Sequence, residues 1–155
     1  MLLRYLLLSV FITGLIACSD GPEVNNADLV IRNGIKYHKT SSEPFTGVGI
    51  VENAVRGMRL EITYKNGILH GSSNYYFSDG TLASESVYDN GTAIFQTVFY
   101  KSGARQTHTE YTGKNSGLYE AWWENGKRAE ISTMQYGQVV PGSQTKWDKF
   151  GNEVK

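Results

Sequence analysis

Three histidines, His38, His70 and His108, are the side chains best suited to acid–base or metal chemistry near neutral pH. No two of them stand at a metal-ligand spacing, and neither an HExxH pair nor a cysteine partner accompanies them. His70 precedes Gly71 at an expected turn and His108 lies on a polar strand, so the expectation is surface histidines. The carboxylates Glu61, Glu85, Asp89, Glu110, Glu120, Glu124 and Glu130 are of the type that works as a general acid–base pair. They are spread among lysines and arginines, which is the pattern of solvated strand faces. No Gly-x-Ser-x-Gly elbow is present, and the glycines lack the strand–loop–helix setting of a phosphate loop. The expectation is therefore no catalytic residue, no metal, no cofactor and no enzyme.

Aromatics are the informative surplus. Tyr75, Tyr76 and Phe77 are consecutive, as are Trp122 and Trp123, so alternation along a strand sends some to each face of a sheet. Exposed Tyr and Trp suit a protein interface, and Arg105 and Arg128 on the adjacent strand would give it a polar rim. Tyr75, Trp122, Trp123, Arg105 and Arg128 are the expected binding residues. The competing explanation is that coiling of the sheet buries one aromatic face and polar neighbours dilute the other.

The scaffold that carries them is repetitive. Gly57, Gly80, Gly103 and Gly126 are spaced at 23 residues, and Gly151 follows after 25. Gly67, Gly91, Gly113 and Gly137 form a second ladder half a period away. Gly47, Gly71, Gly117 and Gly142 form a third, with Ile94 on its missing rung. These ladders take 13 of the 17 glycines, so chance does not explain them. Asn66-Gly67, Asp79-Gly80, Asn90-Gly91, Ser102-Gly103 and Asn125-Gly126 suit tight turns with positive φ. The runs between them are rich in β-branched and aromatic residues, as in Leu60–Tyr64, Ser73–Phe77, Thr92–Tyr100, Leu118–Trp123 and Ala129–Tyr136. The expected fold is all-β: an elongated antiparallel meander of β-hairpins, one per repeat of about 23 residues.

Tyr64-Lys65-Asn66-Gly67, Phe77-Ser78-Asp79-Gly80, Tyr88-Asp89-Asn90-Gly91 and Trp123-Glu124-Asn125-Gly126 resemble the aromatic-x-x-Gly signature of MORN-variant repeats. The segment Arg32-Asn33-Gly34-Ile35-Lys36-Tyr37, followed by Glu43-Pro44-Phe45-Thr46-Gly47, is similar to the first unit of YwqK-type antitoxins. The resemblance spans residues 29–155 and implies an elongated, twisted single-layer sheet of MORN-like hairpins. Gly57 has Ala54 where the aromatic belongs, and the turn at 111–117 is irregular.

Ahead of the repeats, residues 1–17 read as a signal peptide. Arg4 supplies its positive end, and Leu6 to Ile16 supply an apolar run too short to span a bilayer. The peptide ends in Leu15-Ile16-Ala17-Cys18, which resembles the bacterial lipobox, and Cys18 is the chain's one cysteine. The resemblance implies lipidation of Cys18 and attachment to a membrane. Ser19 at the next position favours the outer membrane over retention at the inner one. Residues 18–28, with Gly21, Pro22 and two asparagines, are expected to form a flexible tether, leaving 29–155 as the repeat domain.

The 155 residues fit a single domain, and 15 basic against 15 acidic side chains give no electrostatic footprint for nucleic acid. One function fits first: a non-enzymatic, lipid-anchored binding module of the cell envelope that holds a protein partner, in the manner of an antitoxin or immunity protein. The alternative is a structural envelope lipoprotein that links the membrane to peptidoglycan or to an assembly. Direct lipid binding by the repeats is weakened by the balanced charge.

Overall fold

Two of the three glycine ladders correspond to two kinds of hairpin turn, one at each end of the strands. A computed structural model describes residues 21–53, 55 and 57–154. At one end are two-residue turns, such as Asn66-Gly67 (φ 52° and 75°), Asn90-Gly91 and Tyr136-Gly137. Both residues carry positive φ, the type I′ geometry that matches the twist of the flanking strands. At the other end are three-residue loops closed by a left-handed glycine. The Gly80 N–H donates to the Phe77 carbonyl (3.0 Å) and the Phe77 N–H to the Thr81 carbonyl (2.8 Å). The same pair of bonds recurs at Tyr100/Gly103, Trp123/Gly126 and Asp148/Gly151.

Between these turns run β4 (Gly47–Asn53), β5 (Met58–Lys65), β6 (Ile68–Tyr76), β7 (Leu82–Asp89), β8 (Thr92–Phe99), β9 (Arg105–Gly113), β10 (Ser116–Trp122) and β11 (Arg128–Gln135). Each pairs antiparallel with the next, giving the expected all-β meander. The short strands β12 (Gln138–Val139) and β13 (Thr145–Trp147) share the outer edge of β11, and β14 (Glu153–Val154) pairs with β13.

Residues 23–28 correct the expected tether. Glu23–Asn25 form β1, which runs parallel to β4 in the register Glu23↔Val48. The Val48 N–H donates to the Pro22 carbonyl (3.0 Å), and Asn25 Oδ1 caps a 3₁₀ turn at Asn26–Asp28 by accepting from the Ala27 N–H. Gly, Pro and Asn signal a loop when read alone. Here they serve the exposed edge of β4, whose unpaired backbone groups need partners.

Several ladder positions also differ from expectation: Gly47 begins β4, and His70-Gly71, expected at a turn, lies within β6. At 111–117 the turn residues are Lys114 and Asn115, and Asn115 takes the positive φ (52°), while Gly113 ends β9. Gly117 is a buried strand residue whose missing Cβ makes room for the Glu110 carbonyl at a register shift between β9 and β10.

The apolar core sits at the N-terminal end. β2 (Leu29–Arg32) and β3 (Ile35–His38) form a separate hairpin, and the segment after it places Phe45 against Tyr64, ring centroids 6.1 Å apart and edge-on. Leu29, Phe45 and Tyr64 are buried, with Val24, Ile62 and Leu69 around them. This unit caps the stack, as terminal units of repeat proteins must. Beyond it the sheet is one layer: its buried side chains are scattered ones such as Ala83, Thr97, Thr109 and Ser132.

The register gives the two faces different chemistry. One carries Leu60, Tyr75, Ser84, Val98 and Thr107 in one row and Ser73, Ser86, Gln96, Thr109, Tyr119 and Ser132 in the next. These rows are rich in hydroxyls and uncharged as far as β10; the first continues through Ala121 to Glu130 on β11. The opposite face carries Glu61, Asn74, Glu85, Thr97, His108 and Glu120 in a single row, with Arg59 and Glu110 beside it.

Candidate functional site

The consecutive aromatics divide between the faces. Tyr75 is half-buried and its hydroxyl donates to Met58 Sδ, while the Tyr76 hydroxyl on the opposite face donates to Glu61 Oε2 (3.2 Å). Burial, aided by the Glu61 carboxylate, pushes the Tyr76 phenol above its usual range.

Arg105 and Arg128, expected as a polar rim, lie over indole rings. The Arg105 guanidinium is 5.1 Å from the Trp122 ring centroid, and Arg128 is 5.9 Å from that of Trp147. Arg128 also donates to Glu120 Oε1 (2.7 Å), whereas Arg105 is exposed and, among the described residues, has the Trp122 ring as its one partner. Trp122 is half-buried and Trp123 is 39% exposed, so neither is a fully buried core residue. The Trp123 indole N–H donates to the Trp147 carbonyl (3.0 Å). One repeat earlier the Tyr100 hydroxyl donates to the Trp122 carbonyl (2.9 Å). Trp123 is thus a rung between hairpins as well as a partly exposed ring.

The arrangement is a ladder of Trp122, Trp147, Arg105 and Arg128 near the three-residue loops, and Trp123 ties its rungs together. Further contacts stack the loops: Ser102 Oγ donates to Glu124 (2.7 Å), Asn125 Nδ2 to the Lys149 carbonyl (2.8 Å), and Lys127 Nζ to the Phe150 carbonyl (2.7 Å). Tyr75 stands apart, several strands away on the hydroxyl-rich face. Trp147 is a member that sequence reasoning missed. It follows Trp122 by the same 25 residues that separate Gly126 from Gly151, so extending the ladder finds it.

A recess of about 590 Å³ lies at the same end of the first hairpins, walled by Tyr76, Phe77 and Met58. Within it Arg59 reaches Glu61 (2.8 Å), Glu52 (3.2 Å) and Glu23 (3.4 Å). The histidines are dispersed: His38 bonds Thr40, His70 stands 3.3 Å from Asp89, and His108 bonds Thr97 and packs on Phe95. Among the described residues no group of three or more His, Cys, Asp or Glu is placed to hold a metal ion, and no helix is long and apolar enough to cross a membrane. The expected signal peptide and Cys18 lie outside the described residues. No family model matches the chain, and no curated protein matches it.

Proposed function

We propose that this chain is a lipid-anchored, non-enzymatic binding module of the bacterial cell envelope, held by Cys18 to the outer membrane and engaging a protein partner. The observation that carries the reading is the arginine–tryptophan ladder on a sheet without a second layer. Such a surface offers large aromatic area and an exposed guanidinium, Arg105. The four loops that share one pair of backbone hydrogen bonds support kinship with MORN-variant repeat proteins of the YwqK antitoxin type, and with it an immunity role against a toxin. A structural lipoprotein contacting peptidoglycan or an envelope assembly is the competing role.

A photo-crosslinking residue placed in living cells at Trp123, and at Thr133 well away from the ladder, tests the proposal. A discrete protein adduct from position 123 alone supports a protein-binding module. Attachment to peptidoglycan supports the structural role, and equal, diffuse labelling from both positions removes the ladder as the site.

A further inference from the structure

The chain has four Asn-Gly steps, at 33–34, 66–67, 90–91 and 125–126. At such a step the glycine nitrogen can attack the preceding side-chain amide, because no Cβ crowds it. The attack needs a glycine N–H free to lose its proton and an asparagine side chain free to turn toward it. Three of the four steps are restrained. The Gly67 N–H donates to the Phe45 carbonyl (2.6 Å), and Gly67 is packed against Ile35. The Gly91 N–H donates to the Leu69 carbonyl (2.7 Å), and the Asn90 amide donates to Asp89 (3.0 Å). The Gly126 N–H donates to the Trp123 carbonyl (2.8 Å), while Asn125 accepts from the Lys127 N–H and donates to the Lys149 carbonyl.

Asn33-Gly34 lacks these hydrogen-bond restraints. Both residues are exposed, and among the described residues neither the Asn33 side chain nor the Gly34 N–H has a hydrogen-bond partner. The β2–β3 hairpin that this turn closes is a two-stranded sheet outside the main one.

We propose that Asn33-Gly34 is the site of spontaneous succinimide formation in the folded protein, and that the other three steps are protected until they open locally. The Gly34 nitrogen gives up its proton to solvent and bonds to Asn33 Cγ; the Cγ–Nδ2 bond breaks and the nitrogen leaves as ammonia. Water then opens the imide at either carbonyl, yielding aspartate or isoaspartate with no change of oxidation state. The new carboxylate lies next in sequence to Arg32, whose guanidinium covers Tyr37 at 5.0 Å and donates to the Ser41 carbonyl. The isoaspartate branch also inserts a methylene into the main chain of a two-residue turn.

The test ages the full chain at mildly alkaline pH, folded and in urea, and quantifies aspartate and isoaspartate at each site by peptide mass spectrometry. In the folded protein Asn33 should convert about tenfold or more faster than the other three, because their restraints must break first. In urea the four rates should converge. Comparable rates in the folded chain would overturn the proposal, as would a preference for Asn33 that survives in urea, since that belongs to the local sequence. Asn33→Gln, checked for native circular dichroism, should abolish the early product; its persistence overturns the assignment.

Discussion

Single side chains in this sheet bridge repeats, and their chemistry can be tested one atom group at a time. Trp123→Phe keeps a ring but deletes the N–H that reaches the Trp147 carbonyl, so a loss of about 1 kcal/mol in urea unfolding is expected. A neutral result would make that bond incidental. Asp148 stands where other repeats have an aromatic and organises its loop differently. The Asn152 side-chain amide, then the backbone N–H groups of Asn152 and Phe150, hold its carboxyl below the usual range. The Thr81 backbone N–H does the same for Asp79. A carboxyl depressed in the folded state stabilises it above the unfolded pKa, near 4, and that support fades as pH falls through the folded value. Asp79→Asn and Asp148→Asn should therefore flatten the loss of stability on acidification below about pH 4, measured as the urea midpoint against pH. Unchanged slopes would remove both carboxylates from the acid response.

Elements are set by where glycine is needed, and for two different reasons. Gly80, Gly103 and Gly126 have φ of 84°, 83° and 81° with open space around each, so alanine meets backbone strain alone, about 1 kcal/mol. Gly117 has no positive φ, but a methyl group there collides with the Glu110 carbonyl. Gly117→Ala should be the most damaging of the four, toward the upper end of about 1–3 kcal/mol for overpacking. A urea series in which Gly117→Ala is the mildest would refute this. The two reasons also mark what the sequence could reveal. Spacing exposed the turn glycines and the strands between them, because turn chemistry is local. It could not separate Gly117 from a turn residue, because the Glu110 carbonyl comes from the neighbouring strand. Residues 23–28 were opaque for a similar reason: their polar composition says loop until β4 is present to pair with them. The site was half legible. Arg105 and Arg128 were visible as repeat equivalents, but their seats over Trp122 and Trp147 depend on sheet register.

At the scale of the molecule, apolar burial is concentrated in the N-terminal cap, and pairing thins toward the other end. β13 joins β11 through two paired positions and β14 joins β13 through two more. Stability in such a stack is a sum of local and neighbour terms, so amide exchange should be graded. Amides of β13 and β14 should exchange first and those of β4–β6 last; uniform protection would mean that the sheet opens as one unit. The proposed anchor has its own test: Cys18→Ser should move the protein out of washed membranes, and retention there would exclude lipidation as the sole attachment.

The order found at Gly21 changes what that anchor means. Three residue steps separate Cys18 from Gly21, a reach of about 10 Å against about 30 Å for the ten-residue tether expected from composition. Gly21 packs beside Thr46, whose hydroxyl accepts from the Asn66 N–H, so the chain leaves the domain at the end with the two-residue turns. Under the proposed lipidation of Cys18, a domain fastened so closely would have little volume to sweep. Its local concentration would then be high for a partner within a few nanometres of the same bilayer surface and would fall away for anything deeper in the compartment.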